Sequence, residues 1–431
     1  MKVALISAAV AMSQAPSPAH AATTLTLDLG VDHTDNVART SVDPESETIG
    51  TLGLGVAIDT KRPRLTADVG ANLEYQKYLD NTFDPEVIGG VDATLGFALI
   101  PDRFVWMLED NYGQISNNRL VADNPDNRQD FNYLSTGPDI TLPLGARNSI
   151  FVSGRWSDTY YEDADQDSTG IDASAAFIHA LSEMSNVSLN GSWSQIEYDN
   201  NDPAFEDNEI REAFLRFDAT GVKTALVVDV GYTETTRGDR EPSDGWLGRL
   251  TVTRELTART TLELNAGSEF QDSGQAFRLD QEALGIQPGT ADVLAIADVF
   301  RNNYVYLGLT ADLDRTAVTV NLHGSQERYE EQDLFDRDIV GATFSVERAL
   351  TPRFTLGVEG DYSKEEFVEQ SVAGTGVGFD EWFVGLSMDW QLTSAWSLRA
   401  TGFYYEGSGD GIARNYDETR AFVGVRYTLG R

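Results

Sequence analysis

The stretch DIVGATFSVERALTPRFTLGVEGDYS, residues 338–363, reads as a strand, a tight turn and a second strand. Going in, Val340, Ala342, Phe344 and Val346 alternate with Gly341, Thr343, Ser345 and Glu347. Leu350-Thr351-Pro352-Arg353 reverses the chain, and Phe354, Leu356, Val358, Gly360 and Tyr362 then alternate with Thr355, Gly357, Glu359, Asp361 and Ser363. Successive side chains of a strand point to opposite faces, so each arm carries one apolar and one polar face.

The same unit repeats from residues 24–35 to residues 416–429, giving about twenty strands, or eighteen if one weaker hairpin is reassigned. The links decide what the strands build. After every even-numbered strand the link is short, as in Ile100-Pro101-Asp102-Arg103 and Leu256-Thr257-Ala258-Arg259. After odd-numbered strands it is longer and acidic, as in Val121-Ala122-Asp123-Asn124-Pro125-Asp126-Asn127 and Glu330-Glu331-Gln332-Asp333. Alternating short and long links are the pattern of an up-and-down barrel that crosses a membrane. A soluble sandwich has no reason to sort its loops this way. The expected fold is therefore all-β: a single up-and-down antiparallel transmembrane β-barrel, with both termini on the short-turn, periplasmic side.

The apolar rows suit lipid. Leu65, Ala67, Val69, Ala71, Leu73 and Tyr75 form one row, and Val305, Leu307, Leu309, Ala311 and Leu313 another. Trp382, Val384, Leu386, Met388 and Trp390 carry aromatics at both ends, as girdles at two interfaces would. Covering so many rows in a soluble protein would need a second layer, and no helices in the sequence could supply it.

Composition narrows the class further. Residues 1–21 read as a cleaved secretory signal: Lys2, an apolar run from Val3 to Met12, and the small-x-small site Ala19-His20-Ala21. Residues 22–431 would then be the barrel, facing outer-membrane lipid and lipopolysaccharide and inserted by the barrel assembly machinery. There is no cysteine, so no disulfide framework and no thiolate chemistry. The net charge of −37 argues against nucleic acid as a partner.

If the apolar rows meet lipid, the other rows line the lumen. There stand Asp68, Glu74, Glu109, Asp229, Glu263, Asp312, Glu359, Asp361 and Asp389, with fewer cations, among them Arg155, Arg216 and Arg399. Lumen charges tune selectivity, and acids favour cations. Tyr304, Tyr306 and Phe403 also fall on this side, with Tyr161, Phe214, Phe383 and Phe422. Flat rings beside carboxylates either stack on sugar rings or pack against an in-folded loop. The one long interruption is residues 272–302, within which Val293, Leu294, Ile296, Ala297 and Phe300 have helical spacing and Thr290 suits an N-cap. It is either a constriction folded into the pore or a helix on the rim.

Catalytic and cofactor signals are lacking. His33, His179 and His323 lie on separate strands without a Ser-His or Asp-His pattern, so no enzyme is expected. There is no phosphate loop or dinucleotide fingerprint, and no cofactor is expected. Asp163, Asp165 and Asp167 resemble the start of a calcium loop but lack its later Gly and Glu, leaving at most a weak divalent-cation site.

The first strand ends Asp32-His33-Thr34-Asp35-Asn36-Val37. With the Leu-Thr/Ser turns, this resembles the β-barrel porin type two family and the related outer-membrane barrels of exopolysaccharide (PEP-CTERM) loci. In those families an aromatic is usual where His33 stands. The resemblance implies an outer-membrane conduit for an extracellular polysaccharide, working with periplasmic export components, and it carries over no site residues. A general or cation-preferring diffusion porin, or a surface-exposed structural or adhesive barrel with a closed lumen, are the alternatives.

Overall fold

The computed structural model describes residues 21–118, 121–164, 166–199, 206–238, 240–277, 290–291, 298–368, 378–409 and 414–430. The expected signal segment falls almost wholly outside them. Strand β1 spans Ala21–Thr34 and the last strand, β21, spans Tyr416–Gly430. Apart from one two-residue strand in a loop, every strand pairs antiparallel with the next along the chain, and β1 pairs with β21 from Thr24↔Gly430 to Thr34↔Arg420. Twenty strands thus close on themselves. Closure gives every barrel strand a ladder partner on both sides, and an unpaired edge arises only where a ladder stops short of a strand's end.

The links sort as the sequence requires. Strands β2 (Glu47–Arg62) and β3 (Leu65–Tyr78) are joined by two residues, as are β17 (Arg337–Thr351) and β18 (Phe354–Phe367). All the long links lie at the opposite end. Four hairpins carry a register shift at their short turn: Ala98/Ile100, Ala180/Ser182, Glu255/Thr257 and Ala349/Thr351.

Side-chain exposure confirms which rows face out. On β1, Leu27, Leu29 and Val31 are exposed, whereas Asp32 is buried. On β19 (Gly378–Gln391), Trp382, Val384, Leu386 and Trp390 are exposed, Leu386 most of all at 64%. Exposed apolar residues recur on nearly every strand, far beyond what a soluble surface carries, so the outside of the ring is an oily belt. The inner rows hold most of the buried polar groups, including Arg216, Asp229, Asn265 and Glu269.

One expectation fails locally. Thr290 does not cap a helix. Thr290–Ala291 is a short strand, β14, paired parallel with Gln114 and Ile115 of β5 (Phe104–Ser116). Of the residues with helical spacing, Val293, Leu294, Ile296 and Ala297 lie outside the described residues, and Phe300 opens a strand, β15 (Phe300–Leu313), instead of closing a helix. The helical turn found in this loop comes earlier, at residues 273–277.

Candidate functional site

The candidate site is the lumen with the loop that folds into it. That loop leaves β13 (Thr260–Gln271) and returns at β15 (Phe300–Leu313). Seven barrel strands separate β13 from β5 one way round the ring and ten separate β15 from β5 the other way. A segment that starts at β13 and pairs with β5 therefore reaches across the long-loop mouth. It finds an edge there because the ladder of β4 (Glu86–Ile100) with β5 stops at Val91↔Tyr112. Gly89, at φ +118°, turns the end of β4 away, and its N–H donates to Gln114 Oε1 at 2.9 Å.

Both ends of the loop are anchored by buried aspartates. Asp272 caps the helical turn: its Oδ1 accepts from the N–H groups of Gly274 at 2.8 Å and Gln275 at 3.2 Å. Burial, together with Asp172, pushes its carboxyl up to about 6 against the pull of those two N–H groups. At the far end Asp298, fully buried, accepts from Arg237 Nη1 at 3.0 Å and from the N–H groups of Val299, Glu331 and Gln332. Burial raises its carboxyl, partly offset by Arg237. Between the anchors Phe277 fills a socket of Ile115, Phe131 and Tyr161, with its ring 4.3 Å from that of Phe131. These three stand on the inner rows of β5, β6 (Arg128–Pro143) and β7 (Asn148–Tyr161), so the loop docks on the lumen wall and not on the rim. A polar cavity of about 190 Å³ remains between Gln275 and the wall, lined by Asp172, Ser192, Glu212 and Arg249.

The expected lumen residues fall on the inner rows, but in different company. Arg216 and Asp229, on β10 (Asn208–Thr220) and β11 (Thr224–Arg237), form a buried two-pronged pair at 2.7 and 2.6 Å. Arg249 of β12 (Ser243–Thr257) extends it to Glu212 at 2.7 Å and Glu269 at 2.5 Å, and Tyr304 donates to Glu269 at 2.9 Å. Arg155 pairs with Asp139 at 2.7 Å. Tyr306 donates to Asn321 at 2.8 Å. Glu74, Glu109 and Glu263 each accept from an amide two residues on, Gln76, Asn111 and Asn265. Asp68, Asp312, Glu359 and Asp389 stand on inner rows nearer the short-turn end, and Asp361 stands on an inner row at mid-strand. Arg399 reaches Asp28 at 3.3 Å, and Phe403 packs in an aromatic group with Phe383 and Tyr405.

The three loop aspartates are not gathered by what is described. Asp163 accepts from Asn117 Nδ2 and Asp167 from the N–H of Tyr161, while Asp165 lies outside the described residues. Among the described residues no group of three or more His, Asp or Glu could hold a metal ion.

Sequence reasoning missed Arg39 and Arg337. Arg39 ties the first long loop to Glu418 at 2.8 Å and to Asp123 at 3.7 Å. Arg337, 1% exposed, bridges Glu327 and Glu365, each at 2.7 Å. Asp272-Ser273-Gly274-Gln275 did carry a local signal, an Asp three residues before a Gln, which is a helix start.

No family model matches the chain, and no curated protein matches it in sequence. Its fold has solved counterparts. The ferric enterobactin receptor PfeA of Pseudomonas aeruginosa, as the G324V mutant, covers 96% of this chain over 81% of its own at a TM-score of 0.50 and 10% identity. The R480A mutant of the same receptor with enterobactin covers 96% and 82%, again at a TM-score of 0.50 and 10% identity. The likeness is one of fold.

Proposed function

We propose that this chain is an outer-membrane pore through which an extracellular polysaccharide leaves the cell passively. One observation carries the reading: a closed ring of strands with an apolar outside, a charged inside, and long links confined to one end. Such a ring is stable in lipid and offers a polar path through it. On this reading the belt meets acyl chains and the long acidic loops meet lipopolysaccharide. The short turns and both termini face the periplasm, where export components deliver the polymer. The last strand, paired along β1, is the element the assembly machinery would handle. No enzymatic step is part of the proposal.

The acids facing the lumen favour a second reading, a cation-preferring diffusion porin with no dedicated polymer. Two experiments separate them. In planar bilayers both readings predict a stable, cation-preferring current, and no current would defeat both. In a strain lacking the gene, lost polymer secretion supports the conduit. Normal secretion with altered uptake of small cations supports the porin.

A further inference from the structure

The inner wall from β19 through β20 (Trp396–Gly409) and β21 to β1 differs from the rest of the lumen. Its inner rows alternate aromatic rings with glycines. Across the strands Gly385 faces Phe403, and Phe383 faces Tyr405. The rings of Phe383, Phe403 and Tyr405 form a triangle with centroids 5.3, 5.7 and 5.9 Å apart. Phe403 packs on Gly385, where a Cβ would sit 2.3 Å from its ring. Phe422, a step toward the short-turn end on β21, lies over both Gly424 and Gly30, where a Cβ would sit 2.5 and 2.2 Å away. A ring seated where a Cβ would stand is held close to the wall, and the rest of its surface is left to the lumen. Phe383, Phe403 and Phe422 are each only half-buried, although they line a charged interior.

The charges beside these rings are matched. Arg420 meets Asp32 at 2.5 Å, Arg426 meets Asp28 at 2.8 Å, and Arg399 meets the same Asp28 at 3.3 Å. Arg39 holds Glu418 and stacks 4.7 Å over Tyr405, and Arg414 reaches Glu381 at 3.3 Å. With Asp389 opposite Arg399, the five arginines of this wall stand against five carboxylates, so it lacks the excess of cations that a polyanion would need. An uncharged sugar needs flat apolar faces for its C–H groups, flanked by donors and acceptors for its hydroxyls. Ser387 and Thr401, paired across β19 and β20 on the same rows, add hydroxyls to the arginine and carboxylate groups.

From this we infer that Phe383, Phe403 and Phe422 form a lane that binds an uncharged oligosaccharide along its length. The inference rests on the pore reading and names the class of substrate. Each ring face should contribute about tenfold to affinity, equivalent to about 1.4 kcal/mol.

The test uses the full chain in planar bilayers, with maltohexaose as the neutral probe and an oligogalacturonate of equal length as the charged one. Maltohexaose should block the current, and Phe403→Leu and Phe422→Leu should each raise the half-blocking concentration about tenfold. Gly385→Ala, which leaves every ring in place chemically but lifts Phe403 off the wall, should weaken the block as well. A current that maltohexaose blocks equally in the wild type and the Leu variants overturns the lane and leaves the pore standing, as does a current it does not block. Stronger block by the oligogalacturonate overturns the choice of an uncharged ligand. Absence of any current defeats the pore instead. Calorimetric titration of maltohexaose into the detergent-solubilised protein and its Phe403→Leu variant then decides the lane independently: heat lost in the variant supports it, and no heat in either overturns it.

Discussion

At the long-loop end of the seam, Thr34, Asp35 and Asn36 hold the first strand to the last. Thr34 donates to Glu418 at 2.6 Å, Asp35 exchanges backbone and side-chain bonds with Thr419, and Asn36 Nδ2 donates to the carbonyls of Thr40 and Asp417. Val37 follows into a pocket with Ile49 and Tyr78. The six-residue motif that prompted a family resemblance is therefore a clasp that closes the ring. Asn36→Ala, at a site 3% exposed, strands two carbonyls and should cost about 2–3 kcal/mol. Denaturant unfolding in detergent would measure it. Arg216→Met should cost about 3 kcal/mol in the same assay, because it strips the buried Asp229 carboxylate of its two-pronged partner and leaves it only the longer contact to Arg249 at 3.7 Å. Replacing both, Arg216→Met with Asp229→Leu, should recover most of that loss.

At the scale of elements, the docking of residues 272–277, in the loop between β13 and β15, on the inner wall depends on the charge of one anchor. That anchor, Asp272, faces Asp172 of β8 (Ser168–Ser182) and lies close enough to Tyr161 and Tyr198 to act on both. Its carboxyl titrates near 6 when docked against an ordinary value of 3.8. The docked state therefore binds the proton more tightly. Its advantage is fully present below about pH 3.8 and is lost as the pH rises through about 6. Asp298 is shifted in the same direction. Conductance should accordingly grow between pH 5 and 7. Asp272→Asn keeps the capping oxygen without the charge and should flatten that dependence, whereas Phe277→Ala, which empties the socket, should raise conductance at every pH.

This loop also marks where the sequence stops being legible. The strands could be read because a period of two is local, and the inner and outer rows of β19 stand where alternation put them. The link lengths, likewise local, implied the up-and-down order. The partner of Thr290 was not local. Thr-Ala-Asp before an apolar cluster satisfies every nearby rule for a helix start, yet the vacant edge of β5 lies some 175 residues earlier in the chain and outweighs them. The same holds for Arg39 and Arg337, whose carboxylate partners are brought in by the register of distant strands.

Taken whole, the molecule is a ring whose two faces require different solvents. Leu386→Arg, in the middle of the belt, should cost about 2–4 kcal/mol in a bilayer, while Ser387→Arg on the adjoining inner row should be tolerated and shift ion selectivity toward anions. Folding into vesicles of defined lipid, followed by denaturant titration, checks the first. The most direct measurement of the central claim is the conductance of the purified chain in a planar lipid bilayer, before and after deletion of residues 272–302. The account predicts stable, cation-preferring current steps that grow when the loop is removed. A chain that stays folded in plain buffer, does not enter the bilayer and passes no current with or without the loop would contradict it.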